Sequence, residues 1–243
     1  MPVKNYSAIA SIYSHLMHSI DYEKWAKYIF QIGKEIKKKN IFILELASGT
    51  GVIAKYLHSK INNIVSTDIS FPMLKTNYDN TIQKVCCDMT ALPFKNKFDY
   101  VFSTFDSINY LTTKNKFRLL FASVYKCLDK DGLFTFDVSL KNNSLKYEKY
   151  LNRQGRTQGI TFQQKSNYNR RTRIHSNRFE LMLANGKKVE EIHKQKIYRF
   201  EDYFDFVDSS DFYVYKCYKS FTFENADSSS ERAQFILKKK SYA

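Results

Sequence analysis

The sequence predicts an α/β chain whose core is a mostly parallel sheet covered by helices on both faces. Two observations carry this. Short apolar runs alternate with stretches of helical periodicity, the pattern of repeated strand–helix–strand units. Three of those runs also end in a polar turn: Ala47-Ser48-Gly49-Thr50-Gly51, Asp68 and Asp88. An open parallel sheet places its ligands outside such strand ends.

Taken in order, the chain opens its first long helix at Asp21. Trp25, Tyr28, Ile29, Ile32 and Ile36 recur at helical spacing, with Asp21 as the N-cap. A first strand is expected at about 41–46, and its glycine turn leads into a helix ending near His58. A second strand, 63–67, stops at Asp68; Ser70 then caps a helix with Pro72 in its first turn. Strands at 84–87 and 98–104 follow. Thr113 caps a helix with Phe117, Leu120, Phe121, Val124 and Leu128 on one face. Asp131-Gly132 turns the chain into a fifth strand, 133–138.

The pattern then breaks. Residues 141–168 are polar, and two alternating stretches, 172–182 and 188–198, flank Asn185-Gly186, a strong hairpin signal. A short helix at 201–208 and strands at 212–217 and 233–237 bring the main sheet to seven strands. No Pro- or Ser-rich linker divides the chain, so one domain over 1–243 is expected. It comprises a helical lead-in and cap (1–40), a cofactor-binding core (41–140), an inserted hairpin lid on the substrate side (141–200) and a closing helix with two strands (201–243).

The net charge is +15, from 39 Lys and Arg against 24 Asp and Glu. Such a balance invites a nucleic-acid partner. The lysines are dispersed, however, and Lys37-Lys38-Lys39 and Lys238-Lys239-Lys240 sit at element ends, where a solvated face is the usual reading. A nucleic-acid partner is therefore not expected. No apolar run is long enough to span a bilayer, and the N-terminal MPVKNYSAIASIYSH lacks the apolar region of a signal peptide. Cys86, Cys87, Cys127 and Cys217 show no paired spacing and no His partners at zinc-like distances. The expectation is a cytoplasmic protein with reduced thiols and no metal, as a monomer or homodimer.

Residues 43–57, ILELASGTGVIAKYL, run from strand through glycine turn into helix. Free N–H groups and a partial positive charge at such a turn suit a nucleotide. Gly49, Gly51 and Ala54 fit the looser dinucleotide pattern, and Asp68 follows at the distance expected for an acid holding ribose hydroxyls. NAD would account for these residues. It would not account for Asp88 after the third strand, where an adenine amino group can donate to an acid, nor for Glu45 before the turn.

The combination resembles the class I S-adenosylmethionine-dependent methyltransferases. The residues that carry the resemblance are Glu45-Leu-Ala-Ser-Gly49-Thr-Gly51, Asp68-Ile-Ser-x-x-Met73-Leu, Cys87-Asp88-Met89, Phe98-Asp99-Tyr-Val and Leu128-Asp-x-Asp-Gly132-Leu-Phe, covering about residues 5–140. Tyr6-x-x-Ile-Ala-x-x-Tyr13, Tyr22-x-x-Trp25 and Asp106-Ser-Ile-Asn-Tyr-Leu are similar to the small-molecule branch, sugar N-methyltransferases among them. The resemblance implies a Rossmann-like methyltransferase fold and S-adenosylmethionine as cofactor, with S-adenosylhomocysteine as product. It implies that Ala47, Gly49 and Gly51 pack against the methionine part and that Asp68 holds the ribose. Met73, Asp88 and Met89 then surround the adenine, Phe105 lines the cofactor, and Tyr13 and Trp25 close over it.

Methyl transfer needs alignment and exclusion of water more than a fixed base, so no catalytic residue is secured by sequence. Asp106, Asn109 and His193 are the candidates, with Tyr110 and His175 beside them. The expected function is methyl transfer to N or O of a small acceptor. An RNA or protein acceptor, an NAD-dependent oxidoreductase and a non-catalytic cofactor-binding protein are the alternatives.

Overall fold

The computed structural model describes residues 6, 8–76 and 81–241. A 3-10 turn, Ile9–Ile12, runs into α1 (Tyr13–Leu16), and α2 (Tyr22–Gly33) follows. Asp21 caps α2 as expected, its Oδ1 accepting from the Lys24 N–H at 2.8 Å. The alternating core comprises β1 (Ile43–Leu46), α3 (Val52–His58), β2 (Ile64–Asp68), α4 (Phe71–Thr76), β3 (Gln83–Cys86), β4 (Phe98–Ser103), α5 (Lys114–Cys127) and β5 (Leu128–Ser139). Then come α6 (Lys141–Tyr150), β6 (Arg153–Thr157), β7 (Ile160–Asn169), β8 (Ile174–Met182), β9 (Lys188–Lys196), α7 (Phe200–Asp208), β10 (Phe212–Lys219) and β11 (Arg232–Lys239).

Seven strands form the main sheet in the order β10-β11-β5-β4-β1-β2-β3. Within this sheet β11 alone runs opposite to the other six strands. Strand side chains alternate between faces, and here both alternants are apolar. Leu44, Leu46, Val101, Phe134, Phe136, Phe235 and Leu237 pack with α5 and α7. Ile43, Tyr100, Phe102, Leu133 and Ile236 pack with α2 and α3 on the opposite face. That two-sided burial explains why the strands read as unbroken apolar runs rather than as alternation.

Two local readings change. The expected turn at Asp131-Gly132 is a bulge inside β5: Leu128 pairs with Phe98, but Leu133 pairs with Tyr100. Gly132 fits there because a Cβ would stand 2.7 Å from Leu128 Cδ1 and 2.9 Å from the Asp99 carbonyl oxygen. The expected hairpin exists as β8 and β9, but it is half of a four-stranded antiparallel sheet, β6-β7-β8-β9. Residues 141–168, read from the sequence only as polar, supply α6, β6 and nearly all of β7. Their polar character is itself a strand pattern: in β7, Phe162, Gln164, Ser166 and Tyr168 are buried in alternation, so amides and a hydroxyl occupy inward positions that hydrophobic counting overlooks.

The N-terminal turn and α1 dock on this second sheet, with Ile9, Ile12 and Leu16 against Phe162, Phe179 and Leu181. Among the described residues no helix is long and apolar enough to cross a membrane.

Candidate functional site

The site begins at the loop after β1. Ala47, Gly49 and Gly51 all take left-handed backbone conformations, with φ of 50°, 58° and 73°, which glycine adopts without steric cost. A Cβ on Gly49 would lie 3.2 Å from Met73 Cε. Met73 is only 1% exposed and supports the loop from beneath. The apolar group standing free beside Asp68 is instead Ile69, 64% exposed. Sequence reasoning passed over Ile69 because it sits between two better marked residues, Asp68 and Ser70.

Asp68 closes the loop from β2. Its Oδ2 accepts from the Gly49 N–H at 2.7 Å and its Oδ1 from the Ser70 N–H at 2.7 Å. Each oxygen keeps a lone pair for a further donor, the requirement for gripping a vicinal diol. Burial raises its pKa, against the pull of these amides. Glu45 lies deeper, at 1% exposure, and accepts from Ser66 Oγ at 2.9 Å. It ties β1 to β2 from inside the sheet. Asp88 is exposed beyond β3, with Oδ1 taking the N–H and the hydroxyl of Thr90 at 2.8 Å each. Met89 packs partly into the main core.

Aromatic rings form the next wall. Phe105, left-handed at φ 58°, meets Trp25 at 4.8 Å and Tyr22 at 5.5 Å between ring centroids. Trp25 is buried and also packs on Phe221, so it belongs to the core while supporting Phe105. Tyr13 and Tyr6, 5.9 Å apart by centroid, come from the N-terminal segment. Burial raises both phenols, and the nearby Asp68 and Asp106 raise them further.

The candidate catalytic residues are brought to one place, but in roles that differ from those expected. Asn109 is wholly buried. Its Nδ2 donates to the Ser139 and Lys196 carbonyls and to the Tyr203 hydroxyl at 3.0–3.2 Å, and its Oδ1 accepts from the Ser139 N–H at 2.9 Å. Both its amide atoms are buried and already engaged in joining strand ends, so it presents no exposed polar group to an acceptor. Asp106 is an ion-pair partner rather than a free base: Oδ1 lies 2.6 Å from Arg232, and Gln195 donates to Oδ2. Arg232 also pairs with the fully buried Asp137. Burial pushes the Asp137 carboxyl up to about 6, against the Arg232 charge, and its Oδ1 is buried without a partner.

His193 is 3% exposed and is enclosed rather than presented to the mouth. Its Nε2 lies 2.8 Å from Glu191 Oε1 and its Nδ1 lies 2.9 Å from the Tyr110 hydroxyl. Both ring nitrogens are thus engaged within the protein, and Tyr110 in turn meets the Tyr6 hydroxyl at 2.7 Å. His175 is bound to Ser166 Oγ at 2.7 Å. Sequence reasoning missed Arg232, Gln195 and Glu191. Each comes from a strand with no local signature, and only the strand register places Glu191 and Gln195 on the same face as His193.

A glycine loop, a buried acid with a lone pair left on each oxygen and an exposed acid thus stand at the ends of three adjacent strands. Residues 43–132 match the family described as a methyltransferase domain, and over nearly its whole length the chain is similar to methyltransferases in sequence and in fold. It is similar to YqeM of Bacillus subtilis (strain 168), described as a candidate methyltransferase, at 29% identity over 96% of this chain and 97% of that one. A solved S-adenosylmethionine-dependent methyltransferase from Clostridium acetobutylicum ATCC 824 shares the fold with a TM-score of 0.79 at 22% identity, over 97% of this chain and 99% of its own. The sugar N-methyltransferase KedS8 from Streptoalloteichus sp ATCC 53650 shares it with a TM-score of 0.71 at 14% identity, over 95% and 93%.

Proposed function

We propose that this methyltransferase acts on N or O of a small polar acceptor held between the strand ends of the main sheet and the four-stranded lid. The observation that carries this is the lid's inner face. Gln164, Ser166, His175, Asn177, Glu191, His193 and Gln195 occupy successive inward positions on three strands, and Gln195 reaches Asp106 at the main-sheet edge. A roof built for packing alone would be apolar throughout. This one is apolar only where it meets Ile9, Ile12 and Leu16. The two sheets then work as one catalytic unit.

S-adenosylmethionine supplies an electrophilic methyl carried by a sulfonium. On this reading Ala47, Gly49 and Gly51 bring backbone close to the methionine part, and Asp68 accepts from the ribose hydroxyls. Ile69 lies on the adenine, Asp88 accepts from its amino group through Oδ2, and Met73 and Met89 pack behind. Phe105, Tyr13 and Trp25 line or support the remaining wall. Because Asp106 is held by Arg232 and Gln195, and His193 reaches outward only through Tyr110, alignment and exclusion of water supply most of the rate. The likeness to a sugar N-methyltransferase supports an amine acceptor, which needs no base once neutral.

Calorimetric titration tests the cofactor site. Both S-adenosylmethionine and S-adenosylhomocysteine should bind, NAD should not, and Asp68→Ala should weaken binding roughly 10–100-fold, the worth of a charged hydrogen-bonding group. Silence from both sulfur nucleotides in folded protein would refute the site. Methyl-labelled cofactor incubated with small amines, amino sugars, phenols and bulk RNA then tests the acceptor. Label found in RNA alone would replace the small-molecule reading.

A further inference from the structure

Glu191 is buried on β9, yet four donors converge on its carboxylate. The Ala8 and Ile9 N–H groups reach Oε2 at 2.8 and 3.2 Å. The Tyr6 N–H and His193 Nε2 reach Oε1. Three of the four donors therefore come from the N-terminal segment, at the far end of the sequence. Burial pushes the carboxyl up, but the His193 ring and these amides hold it below its ordinary value, so the latch is an ion.

The same segment is tied at its other side. Ser70 Oγ donates to the Tyr6 carbonyl at 3.0 Å, and the Ser70 N–H donates to Asp68. Tyr6 thus bridges the loop that carries Asp68 and the lid strand that carries Glu191. Its hydroxyl completes a chain through Tyr110 to His193, and its ring stands edge-on to His193 at 4.4 Å. Nothing in methyl transfer itself requires a buried carboxylate here, and packing alone would favour an apolar residue at this position.

We infer that Glu191 is a positioning residue: it fastens the N-terminal segment across the cofactor mouth and, by the same contacts, sets Tyr6, Tyr110 and His193 as the acceptor-side wall. This rests on the reading of Asp68 as the ribose-holding group. Enclosure of the cofactor and assembly of the wall become one event, because one carboxylate binds both the segment and His193. Cofactor exchange then requires release of Glu191, which sets the residence time.

The test uses the full-length chain and two readouts. Release of S-adenosylhomocysteine is followed by stopped-flow fluorescence of Trp25, the one tryptophan of the chain. Exchange of the Ala8 and Ile9 amides is followed by deuterium uptake. Glu191→Gln should speed release by roughly tenfold or more, the loss of one charge-assisted hydrogen bond, and should deprotect both amides while the melting temperature changes little. Ser70→Ala frees the other end; it should also speed release but leave the Ala8 and Ile9 amides protected. Lost protection with unchanged release would make Glu191 purely structural and overturn the inference, as would unchanged protection in Glu191→Gln. If Glu191→Gln does not fold, unaltered release from Ser70→Ala overturns it equally. Failure of the wild type to bind S-adenosylhomocysteine would instead sink the cofactor reading, and amide exchange would still decide whether Glu191 holds the segment.

Discussion

Glu45 lies inside the sheet with Ser66 as its side-chain donor, and burial lifts its carboxyl to about 8, with Asp68 adding repulsion. The folded state therefore holds this proton at pH values where the unfolded chain, near 4.5, has released it. The stabilisation is fully present below the unfolded pKa and is lost as pH rises towards 8. Thermal melts from pH 5 to pH 8 should show a falling melting temperature, and Glu45→Gln should flatten that slope. An equal slope in the variant would mean that another group titrates. The sequence marked Glu45 as an acid before the glycine turn; its side-chain donor is Ser66 on the neighbouring strand. It also marked Asn109 as a catalytic candidate, which burial of all its polar atoms corrects. A side chain's role depends on how many of its polar atoms are already used, and that number is not written in the sequence.

At the scale of the element, the lid is held by packing more than by its turn. Gly186 takes φ 78° with open space where a Cβ would stand, so Gly186→Ala meets only the left-handed penalty, about 1 kcal/mol. Phe179 is buried against the N-terminal segment and lies 5.4 Å from His193 by ring centroid. Phe179→Ala should cost about 3 kcal/mol or more, from lost contacts and a cavity. Chemical denaturation of both variants measures the difference; equal losses would place the lid's stability in its turn. Asn185-Gly186 announced this hairpin because only certain residues fit such a turn. The flanking strands β6 and β7 gave no comparable mark. The inward residues of β7 are Gln, Ser and Tyr as well as Phe, and the less exposed positions of β6 are Arg153, Gly155 and Thr157, which blurs the apolar alternation that reveals a strand.

Over the whole molecule, 39 basic residues face 24 acidic ones, and like charges repel across the compact state. Raising sodium chloride from about 10 to about 150 mM shortens the screening length to roughly 8 Å, so the melting temperature should rise. A fall would show that attractive pairs such as Arg232–Asp106 outweigh the general repulsion. The sequence by itself determined the mostly parallel sheet, its seven strands, the glycine loop and the acids at two strand ends, Asp68 and Asp88. These follow from local periodicity and from residue types that the backbone requires at fixed places. Only the tertiary structure decided that Arg232 joins Asp106 and Asp137, that His193 sits behind Tyr110, and that Glu191 binds the N-terminal segment. Those contacts join residues 83 to 185 positions apart, and no local pattern encodes a partner that the strand register and the crossing of two sheets supply.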